Sequence, residues 1–272
     1  MAMGRCKLTF QTGAFVDSHI IPKAFTRPIG GQSFIQGGQG QRIFRNPSSW
    51  YDGALVIRKG EDVLSDIDNK AIKLLRKNKM VWSGWGQAVS LSFNEAELLE
   101  GYGLRRLDNI DSLYVRRFIL SILWRAATSS RPEFDNVVLP SDVLEELRLM
   151  LLGRGEVAFS RLQVHLTQLS TIGPRHNLGP LLGSDISDGD DTPPAIMNKA
   201  YRFYFDGLIA YVSFGLTQQE YEESRNMFVG ENEYLLLACI PFERSWQYQN
   251  LIQHIKESKD GWPEHFSRLV RS

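Results

Sequence analysis

The chemistry-bearing residues gather near the start of the chain, in the run Asp17-Ser18-His19-Ile20-Ile21-Pro22-Lys23. An imidazole with an ordinary pKa of roughly 6.5 can take up a proton near neutrality. In an extended segment successive side chains alternate, so Asp17 shares a face with His19, either as a cation ligand or as a hydrogen-bond partner of the ring. A lone histidine is more often a satisfied, partly buried group, so the neighbours carry the argument. Lys23, Arg27, Arg58 and Lys59 are cations of the kind that contact phosphates. Arg42 and Arg45 sit at or near the end of a Gly/Gln-rich loop, Ile29 to Arg42 (IGGQSFIQGGQGQR), that has no phosphate-loop spacing.

Other candidates offer less. His165 falls in an alternating strand pattern, His176 in a Gly/Pro loop, and His254 and His265 in the tail; no pair has helix-face ligand spacing. Cys239 lies in an apolar strand and reads as core. Asp185 to Asp191 (DISDGDD) lacks the terminal Glu of a calcium loop and reads as solvated. Tyr201, Phe203, Phe205 and Tyr211 read as sheet core rather than a base-stacking platform.

The elements that must position His19 follow from periodicity. Lys7 to Val16 reads as a short hairpin turning near Gly13, and Ala54 to Arg58 as a strand. From Glu61 to Lys77 the spacing predicts a helix, with Val63, Ile67, Ala71 and Leu74 on its apolar stripe and Asp62, Asp66, Asn69 and Lys73 opposite. Its acidic first turn and basic last turn suit the helix dipole. Val81 to Phe93 reads as connector and strand, with a boundary near 80–90. Helices are then expected over Asn109 to Ala127 and from Ser141 to Gly153. Leu162, Val164 and Leu166 predict a strand, and Gly173 to Pro194 a long loop. Asp206-Gly207 is the turn of a hairpin, followed by a strand over Glu233 to Ile240 and a helical tail. The fold class read from this order is α+β.

Composition sets the frame. The chain has 272 residues, 43% hydrophobic and 23% charged, which excludes a wholly disordered chain, a collagen-like fibre and a membrane bundle. The apolar stretch Phe118 to Trp124 is too short to span a bilayer, so no membrane partner is expected. No charged-then-apolar leader opens the sequence, and two cysteines, Cys6 and Cys239, fit a reducing compartment; a cytoplasmic location is the expectation. Net charge is zero overall, but residues 1–80 carry 13 basic and 6 acidic side chains, leaving 18 basic and 25 acidic after them. A +7 head on a −7 body points to nucleic acid as partner of the head, or to packing between the halves.

Cys6-Lys7-Leu8-Thr9 followed by Asp17 to Phe25 resembles the HNH, or ββα-metal, nuclease superfamily. The nearest pattern is C-x-x-C, a hairpin, then S/E-H-I-I-P-K. In such proteins a second strand leads to another C-x-x-C, then Asn or Glu and a helix. Leu55-Val56-Ile57-Arg58-Lys59-Gly60-Glu61-Asp62 is the counterpart here. The resemblance covers about residues 5–77, its specific core being His19 to Lys23; Arg116 to Ala126 is similar to a C-terminal region of some of these proteins. It implies an N-terminal ββα-metal unit over 1–80 and a mixed helical and antiparallel-strand domain over 81–272 for specificity or assembly. It further implies metal-dependent phosphodiester hydrolysis, with His19 as general base and Asp17, Glu61 and Asp62 as ligands of Mg²⁺ or Mn²⁺. Nucleic acid, DNA first, is the implied partner, with a further protein subunit as a second; bacterial proteins of this build are often associated with anti-phage defence.

The sequence also departs from that family. Of the four zinc-bracing cysteines only Cys6 remains; Thr9, Ile57 and Gly60 take the other places, so no structural zinc is expected. Leu8, Phe10, Ile20, Phe25, Leu55 and Ile57 are available to brace the unit by packing instead. Ser18 stands where an acid often precedes the base, and no histidine follows in the helix. The competing readings are a non-catalytic nucleic-acid-binding or assembly subunit, and a coincidental match in a subunit of unrelated origin.

Overall fold

The computed structural model describes residues 2–26, 34–37, 42–46, 49–91, 97–99, 102–182 and 200–271. Arg27, most of the Gly/Gln-rich loop and Asp185 to Asp191 lie outside the described residues. The architecture is α+β, with seven helices and three mostly antiparallel sheets among the described residues.

The N-terminal sheet has the order β1-β2-β5, from β1 (Met3–Arg5), β2 (Thr12–His19) and β5 (Tyr51–Ile57), all antiparallel. The turn joining the first two strands is Cys6 to Gln11, with Phe10 at φ 60°. Gly13 instead lies inside β2 opposite Gly4, which corrects the expected turn position. After β2 comes the short helix α1 (Lys23–Thr26), and β3 (Phe34–Gly37) and β4 (Phe44–Asn46) fill the insertion before β5.

Helix α2 (Arg58–Lys77) follows β5 directly, starting three residues before the expected Glu61. Its buried stripe is Gly60, Leu64, Ile67, Ala71 and Leu75; Val63 and Leu74 flank it and are only partly buried. The stripe packs against α3 (Ser112–Thr128), which Asp111 caps by accepting the Tyr114 N–H at 3.0 Å. Nearly every residue of α3 from Val115 to Ala126 is buried, the mark of a helix covered on all sides. Helix α4 (Ser141–Leu151) packs beside it and ends before Gly153 at φ 69°.

The large sheet has seven strands in the order β10-β11-β12-β8-β13-β7-β6. These are β6 (Glu97–Leu99), β7 (Tyr102–Leu107), β8 (Gln163–Leu169), β10 (Leu181–Leu182), β11 (Ala200–Phe205), β12 (Leu208–Ser213) and β13 (Leu235–Ile240). Among the described residues of this sheet, only β13 and β8 pair in parallel. Asp206-Gly207 turns the β11–β12 hairpin with φ 49° and 82°, the type I′ pattern the dipeptide favours. A Cβ on Gly207 would lie 2.4 Å from the Trp82 ring, so the turn also needs glycine for packing. The expected Gly173–Pro194 loop contains β9 (His176–Leu178), which joins β3 and β4 in the third sheet, and β10.

One apolar core runs from the N-terminal sheet through α2, α3 and α4 to one face of the large sheet, from Cys6 to Leu237. A second core covers the other face, built from Trp82, Trp85, Tyr204, Ile209, Tyr211, Phe242 and Leu251. Leu251 comes from α6 (Trp246–Gly261), which lies after α5 (Gln218–Ser224) and before α7 (Pro263–Arg271). No helix among the described residues is long and apolar enough to cross a membrane.

Candidate functional site

His19 ends β2, and the β2–β5 register sets Ser18 opposite Asp52 and His19 opposite Tyr51. A register shift between Val16 and Ser18 leaves Asp17 facing the bulged Gly53 to Leu55 stretch. Beyond the shift, Asp52 fastens β5 to the end of α3. Its Oδ2 accepts Ser129 Oγ at 2.8 Å and the Ser130 N–H at 2.7 Å, while Oδ1 accepts the Ala54 N–H at 2.7 Å. Burial raises the Asp52 pKa, but these bonds outweigh it and hold the carboxyl below its ordinary value.

The end of β2 is held by a group from the body. Arg125, on the last turn of α3 and 1% exposed, donates from Nη1 to the His19 carbonyl at 2.9 Å. Its two Nη atoms also grip Asp68 of α2 at 2.9 and 2.6 Å, and Nη2 reaches Ser121 Oγ. One guanidinium therefore fixes the spacing between strand and helix. Neither Arg125 nor Asp68 had a local signal in the sequence; their pairing spans 57 positions and exists only once α2 lies on α3.

The protonation states around this junction follow from burial and charge. His19 is half-buried with Tyr51 alongside, the ring centroids 6.0 Å apart. Burial first, then the charges of Lys23 and Arg125, lower its pKa, with Asp17 and Asp68 partly offsetting them. The imidazole is thus neutral at neutral pH, as a proton acceptor must be. Glu61 moves the other way. Burial raises its pKa against the favourable influence of the Ser18 hydroxyl and Arg125. Ser18 is fully buried beside it, and neither Ser18 Oγ nor Glu61 Oε2 completes a hydrogen bond of good geometry.

The structure does not gather the three expected metal ligands. Glu61 turns inward towards Ser18, Asp62 is exposed on the next position of α2, and Asp17 is exposed on the face of β2 opposite Ser18. Among the described residues no three of His, Cys, Asp and Glu form a group able to hold a metal ion.

The places aligned with zinc ligands do converge, but as packing. Buried Cys6 Sγ accepts the Thr9 N–H at 3.3 Å, and a Cβ on Gly60 would come within 2.9 Å of that sulfur. Leu8, Ile20, Phe25, Leu55 and Ile57 are buried as expected of bracing residues. Phe10 is not: it is 45% exposed, its ring covered by the guanidinium groups of Arg5 at 4.6 Å and Arg148 at 4.1 Å. Arg148 also donates to the Leu8 carbonyl and Lys7 to the Thr128 carbonyl, tying this loop to α3 and α4.

Among the expected phosphate contacts, Lys23, Arg42, Arg45, Arg58 and Lys59 are all exposed. Among the described residues their side chains have no hydrogen-bond or ion-pair partner. Arg27 lies outside the described residues. Because α2 starts at Arg58, its first turn holds two exposed cations ahead of the expected acid Glu61, while the last turn is basic as expected, with Arg76 and Lys77.

In comparisons with known proteins, no family model, no curated protein and no solved structure matches this chain.

Proposed function

We propose that this chain is an HNH-like, nuclease-derived protein that engages nucleic acid through the phosphates, using the exposed cations Arg58 and Lys59 at the start of α2 and, separately, Lys23 beyond the end of β2. The observation that carries this reading is the start of α2. Two exposed, unengaged cations occupy its positive end, where each opposes the macrodipole by about 0.3–1 kcal/mol. A phosphate backbone laid there relieves both. Lys23 acts on the His19 pKa and lies beyond the end of β2, where Arg76 of the last turn of α2 donates to the Ala24 carbonyl at 2.9 Å, so it is a contact separate from Arg58 and Lys59. Two antiparallel strands followed by a helix, with His19 ending the first strand and Glu61 in the helix's first turn, support the HNH-like element of the proposal.

Binding rather than hydrolysis is the favoured role, because Glu61, Asp62 and Asp17 do not converge. Hydrolysis is the second reading, favoured by one observation: the His19 imidazole is kept neutral by burial beside Lys23 and Arg125. Anisotropy with labelled duplex DNA and single-stranded RNA tests the proposal on the full chain. A Lys23→Ala/Arg58→Ala/Lys59→Ala protein should bind at least tenfold more weakly than wild type, and equal binding overturns it. Plasmid nicking with Mn²⁺ that disappears in His19→Ala would establish the second reading.

A further inference from the structure

The second face of the large sheet carries a buried cation that no acid among the described residues balances. Arg202 of β11 is 3% exposed and lies between the sheet and α6. Its Nη2 donates to Gln247 Oε1 of α6. Gln247 Nε2 in turn meets His176 Nε2 at 2.7 Å, and His176 Nδ1 meets the Pro174 carbonyl at 2.6 Å. These contacts close in one direction only. His176 is the neutral tautomer protonated on Nδ1, donating to Pro174 and accepting from Gln247, whose carbonyl accepts from Arg202. Burial keeps this imidazole neutral, lowering its pKa to about 4.

The chain of bonds ends at Arg202 with donors left over. Nε and Nη1, which carry three of the five guanidinium hydrogens, have no acceptor. The ionisable groups acting on Arg202 are the phenols of Tyr211 and Tyr204, both kept protonated and neutral by burial, with no carboxylate among them. A guanidinium taken out of water without a counter-charge is strongly destabilising. The acids on this side are engaged elsewhere: Asp206 pairs with Arg175 at 3.1 Å, and Glu257 Oε2 stands 3.8 Å from His254 Nδ1. Tyr211 stands directly across from Arg202 and stacks on His165, the ring centroids 4.6 Å apart, and His165 Nδ1 is another buried atom without a partner. Tyr204 stacks on His176 at the same separation, and His254 Nδ1 is likewise unsatisfied.

We propose that Arg202 is the centre of a binding site for a small oxyanion, a carboxylate or a phosphate, held between the sheet and α6. The oxyanion supplies acceptors for Nε and Nη1 and the missing negative charge. Nε and Nη1 are closed to solvent, so the anion enters when α6 lifts from the sheet. Association is accordingly slower than for an open site.

The test is calorimetric titration of the full chain with sodium phosphate and with sodium acetate, at ionic strength matched with chloride. Saturable one-site binding of either anion is expected, and which of the two binds identifies the source. Arg202→Met should weaken it at least tenfold. Gln247→Glu places a carboxylate on Nη2, and should weaken binding equally while raising the melting temperature; this variant decides the matter if Arg202→Met does not fold. No saturable binding by wild type, or undiminished binding by Gln247→Glu, overturns the proposal. So does a tenfold gain of affinity when Asp185, Asp188, Asp190 and Asp191 are changed to Asn, because the chain's own acids then balance Arg202.

Discussion

Arg125 holds three things at once: the His19 carbonyl, the Asp68 carboxylate and Ser121 of its own helix. Truncating it to methionine leaves Asp68 without its partner at a site where the guanidinium is 1% exposed. Breaking a buried pair from one side typically costs about 3–5 kcal/mol, and a urea melt of Arg125→Met should show a loss of that order. A loss below about 1 kcal/mol would mean that solvent replaces the pair. His165 gives a second prediction. Burial lowers its folded-state pKa to about 4, so below pH ~6.5 the unfolded chain takes up a proton that the native state refuses. Stability is lost as pH falls through that window, by about 2 kcal/mol at pH 5 from this group. His165→Phe keeps a ring against Tyr211 and should reduce the fall between pH 7 and pH 5 by that amount, measured by urea denaturation at both values. An unchanged fall would show that His165 charges freely. The sequence made His19 visible through its neighbours, whereas Arg125, Asp68 and Asp52 gained their roles from contacts no local pattern encodes.

Elements were legible where a local rule decided them. Asp206-Gly207 accepts the positive φ values of its turn, so the β11–β12 hairpin followed from two residues. The start of α2 did not follow, because no capping side chain marks it; Ile57 precedes the helix without a side-chain hydrogen bond. What sets that start is contact: Gly60 lets the first turn close over Cys6 and Val56, where a Cβ would sit 2.9 Å from the sulfur and 3.0 Å from Val56 Cβ. Gly60→Ala should therefore destabilise, because overpacking of about 1–3 kcal/mol exceeds the ~1 kcal/mol gained in helix propensity. A variant as stable as wild type in a thermal melt would show that Cys6 can rotate away. The seam of β2, β5 and α2 is built from such close packing around Cys6.

At the scale of the whole molecule, the basic N-terminal unit and the acidic remainder share one apolar core, with Leu64, Ile67, Ala71 and Leu75 of α2 against α3. The tethers from Lys7, Arg125 and Arg148 cross the same boundary. Residues 1–80 expressed alone should be largely unfolded by circular dichroism and amide exchange, since they lose the surface that buries α2; a cooperative melt of that fragment would show that the unit folds by itself. The charge division was plain in the sequence, but its orientation was not: only the fold shows Arg58 and Lys59 exposed and unengaged at the positive end of α2. The most direct measurement is the salt dependence of nucleic-acid binding by the full chain. The account predicts a linear fall of log K with log salt, and a slope about 2–3 units shallower in Lys23→Ala/Arg58→Ala/Lys59→Ala, near 0.9 per lost phosphate contact on duplex DNA. Binding whose slope is the same in both proteins, or no salt-sensitive binding by wild type, would contradict it.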